Sequence, residues 1–439
     1  MTSLNILGYE WKHFVRSPFK VVALLLFVAA SVYGLHNGAR LYETQMDEVA
    51  NIEAKMSEAR QECLAFYEAD QKGPEKRPWV DVTAPMWAMW YANIYHFNTP
   101  SSAMEFSIGQ AEQYGFYKKI TTRASSYDND LTQEIANPER LQTGSLDFAF
   151  ALLYLLPLVL LIMLYNLNSM EAEQGFLPLI EVQTASRYWW LGSRMLFYIG
   201  LLWIVLLGLL IYGAYLTGVF TNAGFAFGQM LFWSSLYLLF WSGLFFLLIR
   251  NSTTILSNAL KMVGAWLLFA FIIPATVHQG VSIVQPAGFM TELIDAQRDQ
   301  IWKLYDLPDS VLHARIEQRF PEIANSPIAE DRKKRQMAYK ASTPALFNDL
   351  VKTSIVPIEQ AYRDRNQLIR WSTLFNPVTF FQNQFNQVTE THFDDYLNYR
   401  HELQSLIDQQ INTLVTDTWE GKVVTPSHFE NYIQDLSQP

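Results

Sequence analysis

The chain has 439 residues, 50% of them apolar and 15% aromatic, and only 17% charged, below the roughly 25% of ordinary soluble domains. Its formal net charge of −10 argues against a nucleic-acid partner, because phosphate binding needs a basic face. Mean hydropathy is near zero, so apolar blocks are balanced by polar ones, as in a membrane protein with large aqueous parts.

Roughly 20 apolar helical residues cross about 30 Å of hydrocarbon, and five stretches free of Asp, Glu, Lys and Arg meet that need. The first is Val21–Ala39, a span over 21–39. HNGARLYETQ after it holds no small-residue cleavage site, which makes it an uncleaved span rather than a signal peptide. The second is Phe148–Met170, giving a span over 147–167. Met195–Ile249 is too long for one crossing and divides at GVFTNAGF, Gly218–Phe225, into spans over 194–217 and 227–249. The fifth lies in Met262–Thr291, as 262–283. Pro157 and Pro274 fall inside spans, where neighbouring helices and local backbone adjustments satisfy the freed carbonyl.

Lys12, Arg16 and Lys20 precede the first span, and Arg250 and Lys261 bracket the loop 250–261, whereas the loop near Thr221 has no Lys or Arg. The positive-inside rule then places the N-terminus in the cytoplasm. Alternation puts loop 168–193 there too, and puts segments 40–146 and 284–439 outside. The expected location is the cell inner membrane, multi-pass.

Each outside segment is long enough to bury a small core of its own. The first opens with RLYETQMDEVANIEAKMSEARQECLAFYEAD at helical spacing, ended by KGPEKRP. PMWAMWYANIYHF follows, a core or contact face, and then the polar, turn-rich SSYDNDLTQEIANPERLQTG. In the second, IDAQRDQIWKLYDLPDSVLHARIEQRF breaks at Pro308, EDRKKRQMAYK reads as a solvated face, and LVKTSIVPIEQAYRDRNQLIRWSTLF is interrupted at Pro357. Tyr396, Tyr399, Leu403, Ile407, Ile411 and Leu414 step by three or four, drawing a core-facing stripe down one helix. The fold class is therefore mainly α: a polytopic membrane helical bundle of five spans with two large, mostly helical extracytoplasmic domains.

Catalytic motifs are missing. No glycine-rich loop ends in Lys-Ser/Thr, so the chain should not hydrolyse nucleotide itself, and no Gly-x-Ser-x-Gly elbow occurs. His401-Glu402 lacks the second His of a zinc-protease helix, and His392, Asp394 and Asp395 read as an exposed helix start rather than a metal site. Cys63, the one cysteine, has no partner for an internal disulfide and is expected to be buried. The chain is expected to carry no enzyme activity, cofactor or metal.

The segment between the second and third spans, NSMEAEQGFLPLIEVQTASR, is too patterned for a plain connector. Two acids, Glu171 and Glu173, stand where a membrane helix ends, Gly175 permits a turn or a close approach, and FLPLIEV forms a short amphipathic element. EAEQGFLPLIEVQTASRYWWLGSRMLF is similar to the part of type-2 ABC transporter permeases in which an acidic pair and a Gly lead into the coupling helix. GYEWKHFVRSPF, within residues 1–20, resembles that family's cytoplasmic amphipathic helix in the interface before the first span. FSIGQAEQYGFYKKI, NPERLQTGSLDFAFALLYLLPLVLLIMLYNL and FNPVTFFQNQFNQVTETHFDDY resemble a subfamily of unknown function with two large ectodomains.

The resemblance implies six spans, the last after the second ectodomain. The sequence stops at DLSQP with no sixth apolar run, so either it is shortened or this member ends outside. The resemblance also implies ATP bound by a separate ABC ATPase subunit, a second permease subunit (a copy or a relative), contact with membrane lipid and a periplasmic partner. Glu171 and Glu173 would meet basic groups on the ATPase or hold the loop. Gly175 would shape it, and Phe176, Leu177, Leu179 and Ile180 would fill an apolar groove. Lipidic or amphipathic cargo, or force transmission, fits spans with few polar groups. The competing class is a membrane-anchored extracytoplasmic binding or scaffolding protein.

Overall fold

The computed structural model describes residues 3–112, 114–122, 126, 146–183, 186–251, 254–284, 302–304, 306–328 and 330–437. Almost all of SSYDNDLTQEIANPERLQTG, the end of Met262–Thr291 and the beginning of the second soluble segment lie outside the described residues.

The chain is mainly helical. Helix α1 (Ser3–Val15) is followed at once by α2 (Pro18–Glu68), whose Pro18 suits the first helical turn because its missing N–H is unpaired there anyway. Expected as a span and then a separate soluble helix, α2 is instead one rod of 51 residues, about 76 Å at 1.5 Å per residue. No breaker interrupts it before KGPEKRP. Then come α3 (Pro85–Ala92) and two short strands, β1 (Tyr95–Phe97) and β2 (Tyr117–Lys119), paired antiparallel with Tyr95 opposite Lys119. The second span enters through Phe148–Phe150 and continues into α4 (Leu156–Leu164). The amphipathic element is α5 (Leu177–Gln183). The third and fourth spans are α6 (Arg187–Leu216) and α7 (Gly224–Ile249), divided where GVFTNAGF predicts. The fifth is built from α8 (Ile255–Leu267) and α9 (Ile273–Val284). Among the described residues five helices are thus long and apolar enough to cross a membrane.

Each in-span proline follows a π-helical turn, Ala151–Leu155 before Pro157 and Leu268–Ile272 before Pro274. Proline removes a donor and crowds the carbonyl four residues back; a wider turn relieves the crowding. For Pro157 that carbonyl is Leu153, and the Tyr237 hydroxyl on α7 donates to it at 2.5 Å. Trp266 Nε1 on α8 donates to the next carbonyl, Tyr154, at 3.1 Å.

In the second soluble segment α10 (Asp309–Arg319) begins directly after Pro308, as expected. The expected interruption at Pro357 does not occur: α11 (Arg332–Ser372) runs through both Pro344 and Pro357. A helix-interior proline costs about 3 kcal/mol, but the helix packs on both sides of it, beyond Pro357 against α9. Leu346, Val351 and Ile355 are buried, and α11 lies along α13 (Phe393–Trp419). Between them, α12 (Pro377–Val388) turns back; α14 (Pro426–Ser437) ends the described chain. The stripe Tyr396–Leu414 on α13 is buried throughout, and Cys63 is buried as expected. His392 caps α13, accepting from Asp394 N at 3.2 Å while Asp395 accepts from His392 N at 3.1 Å. Among the described residues no cluster of metal-ligating side chains occurs.

Among the described residues two apolar cores result. One fills the bundle and takes in Phe106 from the first soluble segment and Val378, Phe381 and Phe385 from the second. In the other, the two soluble segments do not form separate cores: Cys63, Val80, Met89 and Ile94 pack with Ile316, Tyr396, Leu403, Trp419 and Phe429.

Candidate functional site

The second span stops at Asn168, whose φ of 65° lies in the left-handed region that Asn tolerates better than most residues. One turn, Ser169–Glu173, follows and closes on Gly175 (φ 74°). Phe176 N–H bonds Glu171 O at 2.9 Å and Gly175 N–H bonds Ala172 O at 3.2 Å, the paired bonds of a Schellman cap. Gly175 therefore serves the turn. A Cβ there would meet nothing within 4 Å, so backbone strain rather than a steric clash restricts the position.

The apolar residues of α5 divide between two faces. Leu177 and Ile180 are half-buried, with Ile180 packed on the bundle core. Phe176, Leu179 and Val182 step by three and are exposed, Val182 at 87%. Val182 belongs with the exposed set, although the sequence singled out only its neighbours.

Both acids are held within the chain. Glu171 and Glu10 of α1 each accept a bond from Arg194, which is only 4% exposed. The Tyr198 hydroxyl donates to the other oxygen of Glu10 at 2.9 Å. Beside them Lys20 of α2 donates to Met163 O at 2.8 Å and Asn166 Oδ1 at 3.1 Å, and its ammonium stands 4.5 Å from the Tyr198 ring centre. Burial, assisted by the Lys20 charge, holds His13 below the ordinary imidazole range. Glu173 accepts from Ile255 N at 2.8 Å, where an anion complements the positive end of α8. Asn258 of α8 reaches Ser169 Oγ at 3.0 Å and Tyr165 O at 3.2 Å. Asn168 reaches Ile249 O at the end of α7 and accepts from Arg187 of α6.

The short segment 168–187 is thus tied to the ends of α6, α7 and α8 and, through Arg194, to α1, while Lys20 of α2 holds the end of the second span just before it. The sequence pointed to Glu171, Glu173, Gly175, Phe176, Leu177, Leu179 and Ile180 as one contact surface. The structure instead turns the acids inward and leaves Phe176 and Leu179 outward. It adds Glu10, Lys20, Arg194 and Tyr198. Arg194 had a readable signal, a lone cation at the head of a 55-residue uncharged run, since ionisable groups beside or within apolar spans are costly without a partner.

Comparisons with family models, with curated proteins and with solved structures returned no match to this chain.

Proposed function

We propose that the chain is the membrane-spanning permease subunit of an ABC-type transporter, driven by a separate ATPase that docks on α5 from the cytoplasm. The observation that carries this reading is the two-sidedness of segment 168–187. Its front offers Phe176, Leu179 and Val182 to another molecule; its back is hydrogen-bonded and ion-paired to the helices that would have to move. Burying apolar side chains is worth about 1.5–3 kcal/mol each, enough for three of them to carry a push without a covalent link.

Glu171 and Glu173 on this reading are positioning residues that keep α5 rigid against the bundle. The soluble core lies on the opposite side of the membrane and moves with the spans. A second permease subunit completes the pathway, and the cargo is lipidic or amphipathic.

The test is the pair Phe176→Asp and Leu179→Asp in the full chain, with co-purification of a P-loop ATPase and its rate of ATP hydrolysis as readouts. Loss of the complex, with the chain still inserted and monodisperse, is expected. Retained association and unchanged hydrolysis would overturn the proposal, and a wild-type chain that captures no ATPase would favour the membrane-anchored scaffolding reading.

A further inference from the structure

The end of α11 is unlike the rest of the soluble part. Arg365 lies against α9, its guanidinium 3.4 Å from Ser282 Oγ. Beyond it the outward face carries Leu368 and Trp371, and the turn that follows carries Phe375. All are exposed, Trp371 at 64% and Phe375 at 77%. The chain then reverses at Pro377 and lays α12 against α7. Phe381 meets the Tyr237 ring at 4.9 Å and the Trp233 ring at 6.1 Å, while Phe380 meets Trp233 at 5.8 Å. Trp233 is about 14 Å along the axis from the beginning of α7, in the half of α7 remote from segment 168–187.

We propose that the α11–α12 elbow is seated in the membrane, with Leu368, Trp371 and Phe375 in the apolar edge of the leaflet and Arg363 and Arg370 at its phosphates. Three observations select lipid as the occupant. Ile283 and Val284, next to the Ser282 of α9 that Arg365 meets, are apolar and exposed as well. The α8–α9 span it continues has only 11% of its apolar window buried, against 67% for the second span, so its surroundings are those of a lipid-facing helix. Arg370 next to Trp371 and Arg363 about two turns before it are exposed, and aromatic rings with basic side chains are the residues of the headgroup level. This inference rests on the five helices crossing a bilayer and not on the transport proposal.

Variants of the full chain with one added cysteine, in phosphatidylcholine–phosphatidylglycerol nanodiscs, test it, Cys63 being buried and left in place. Nitroxides would be attached at Trp371→Cys and Phe375→Cys, with Lys333→Cys as the exposed aqueous control. The expected result is a ratio of oxygen to nickel-chelate accessibility several-fold higher at both elbow positions than at the control. Equal ratios would place the elbow in water and overturn the proposal. Shielding from both reagents would do the same, by showing that protein covers it. Brominated acyl chains supply a second readout that needs no label. Wild-type tryptophan emission should be quenched more than that of Trp371→Phe; identical quenching would count against lipid contact.

Discussion

Arg194 is the residue on which the site turns. It serves two carboxylates, and removing it would leave Glu10 buried without its ion-pair partner, held only by the Tyr198 hydroxyl. Breaking a buried ion pair from one side typically costs about 3–5 kcal/mol. Arg194→Ala should therefore lower the thermal midpoint in detergent sharply, and Arg194→Lys should not restore it, because an ammonium lacks the planar fork that addresses two partners at once. Combining Arg194→Met with Glu10→Gln and Glu171→Gln should recover much of the loss. Equal midpoints for wild type and Arg194→Ala would show that the network carries no weight.

Glu105 is a second telling residue. It is fully buried, and neither carboxyl oxygen has a hydrogen-bond partner among the described residues. The nearby Thr217 hydroxyl is bonded to Ser102 O at 2.8 Å. Desolvation, opposed only by that hydroxyl, pushes the carboxyl from 4.5 up to about 9. The folded state then holds a proton that the unfolded state releases, so this contribution is complete below the unfolded value near 4.5. It is lost as pH rises toward about 9. Glu105→Gln should flatten stability across that window and raise it at pH 8. An unchanged slope of midpoint against pH would show that Glu105 does not titrate in this way.

At the scale of elements, the helix–helix contacts depend on where small residues fall. Gly34 and Gly38 are one turn apart on α2; a Cβ on Gly34 would lie 2.5 Å from the Asp147 carbonyl carbon and one on Gly38 2.6 Å from Glu105 Cα. Backbone approaches this close admit no side chain, the physical basis of small-residue spacing in membrane helices. Gly38→Val should destabilise by at least the 1–3 kcal/mol typical of overpacking, whereas Gly208→Val on α6, with nothing within 4 Å, should be tolerated. Similar midpoints for the two variants would contradict the close packing.

Much of this level was legible in advance. Uncharged runs located the spans, GVFTNAGF located their division, and the three-four stepping from Tyr396 to Leu414 located a core face, because each signal is local to one element. The continuity of α2 and of α11 through Pro357 was not legible. Both depend on packing against partners far away in the chain. The same holds for Glu171, whose partner Arg194 also binds Glu10, 184 residues from it. A sequence shows that an acid needs a partner, and several cations compete for the role.

For the whole molecule, α2 joins the site to the soluble part. It carries Lys20 in the polar network and Cys63 in the soluble core, so one continuous helix links the two. Both soluble segments share that core. Residues 302–437 expressed alone should accordingly lack a cooperative thermal transition by circular dichroism, and a fusion supplying 40–122 should restore it. A cooperative transition in the isolated segment would show that the two parts fold independently after all.

The most direct measurement of the central claim is a photo-reactive amino acid placed at Leu179 in the full chain, irradiated in cells, with the products identified by mass spectrometry. The expected product is a crosslink to a soluble P-loop ATPase, depleted when the acceptor side chain is placed at half-buried Ile180. Crosslinks only to lipid or within the chain, with none to a nucleotide-hydrolysing subunit, would contradict the role assigned to α5.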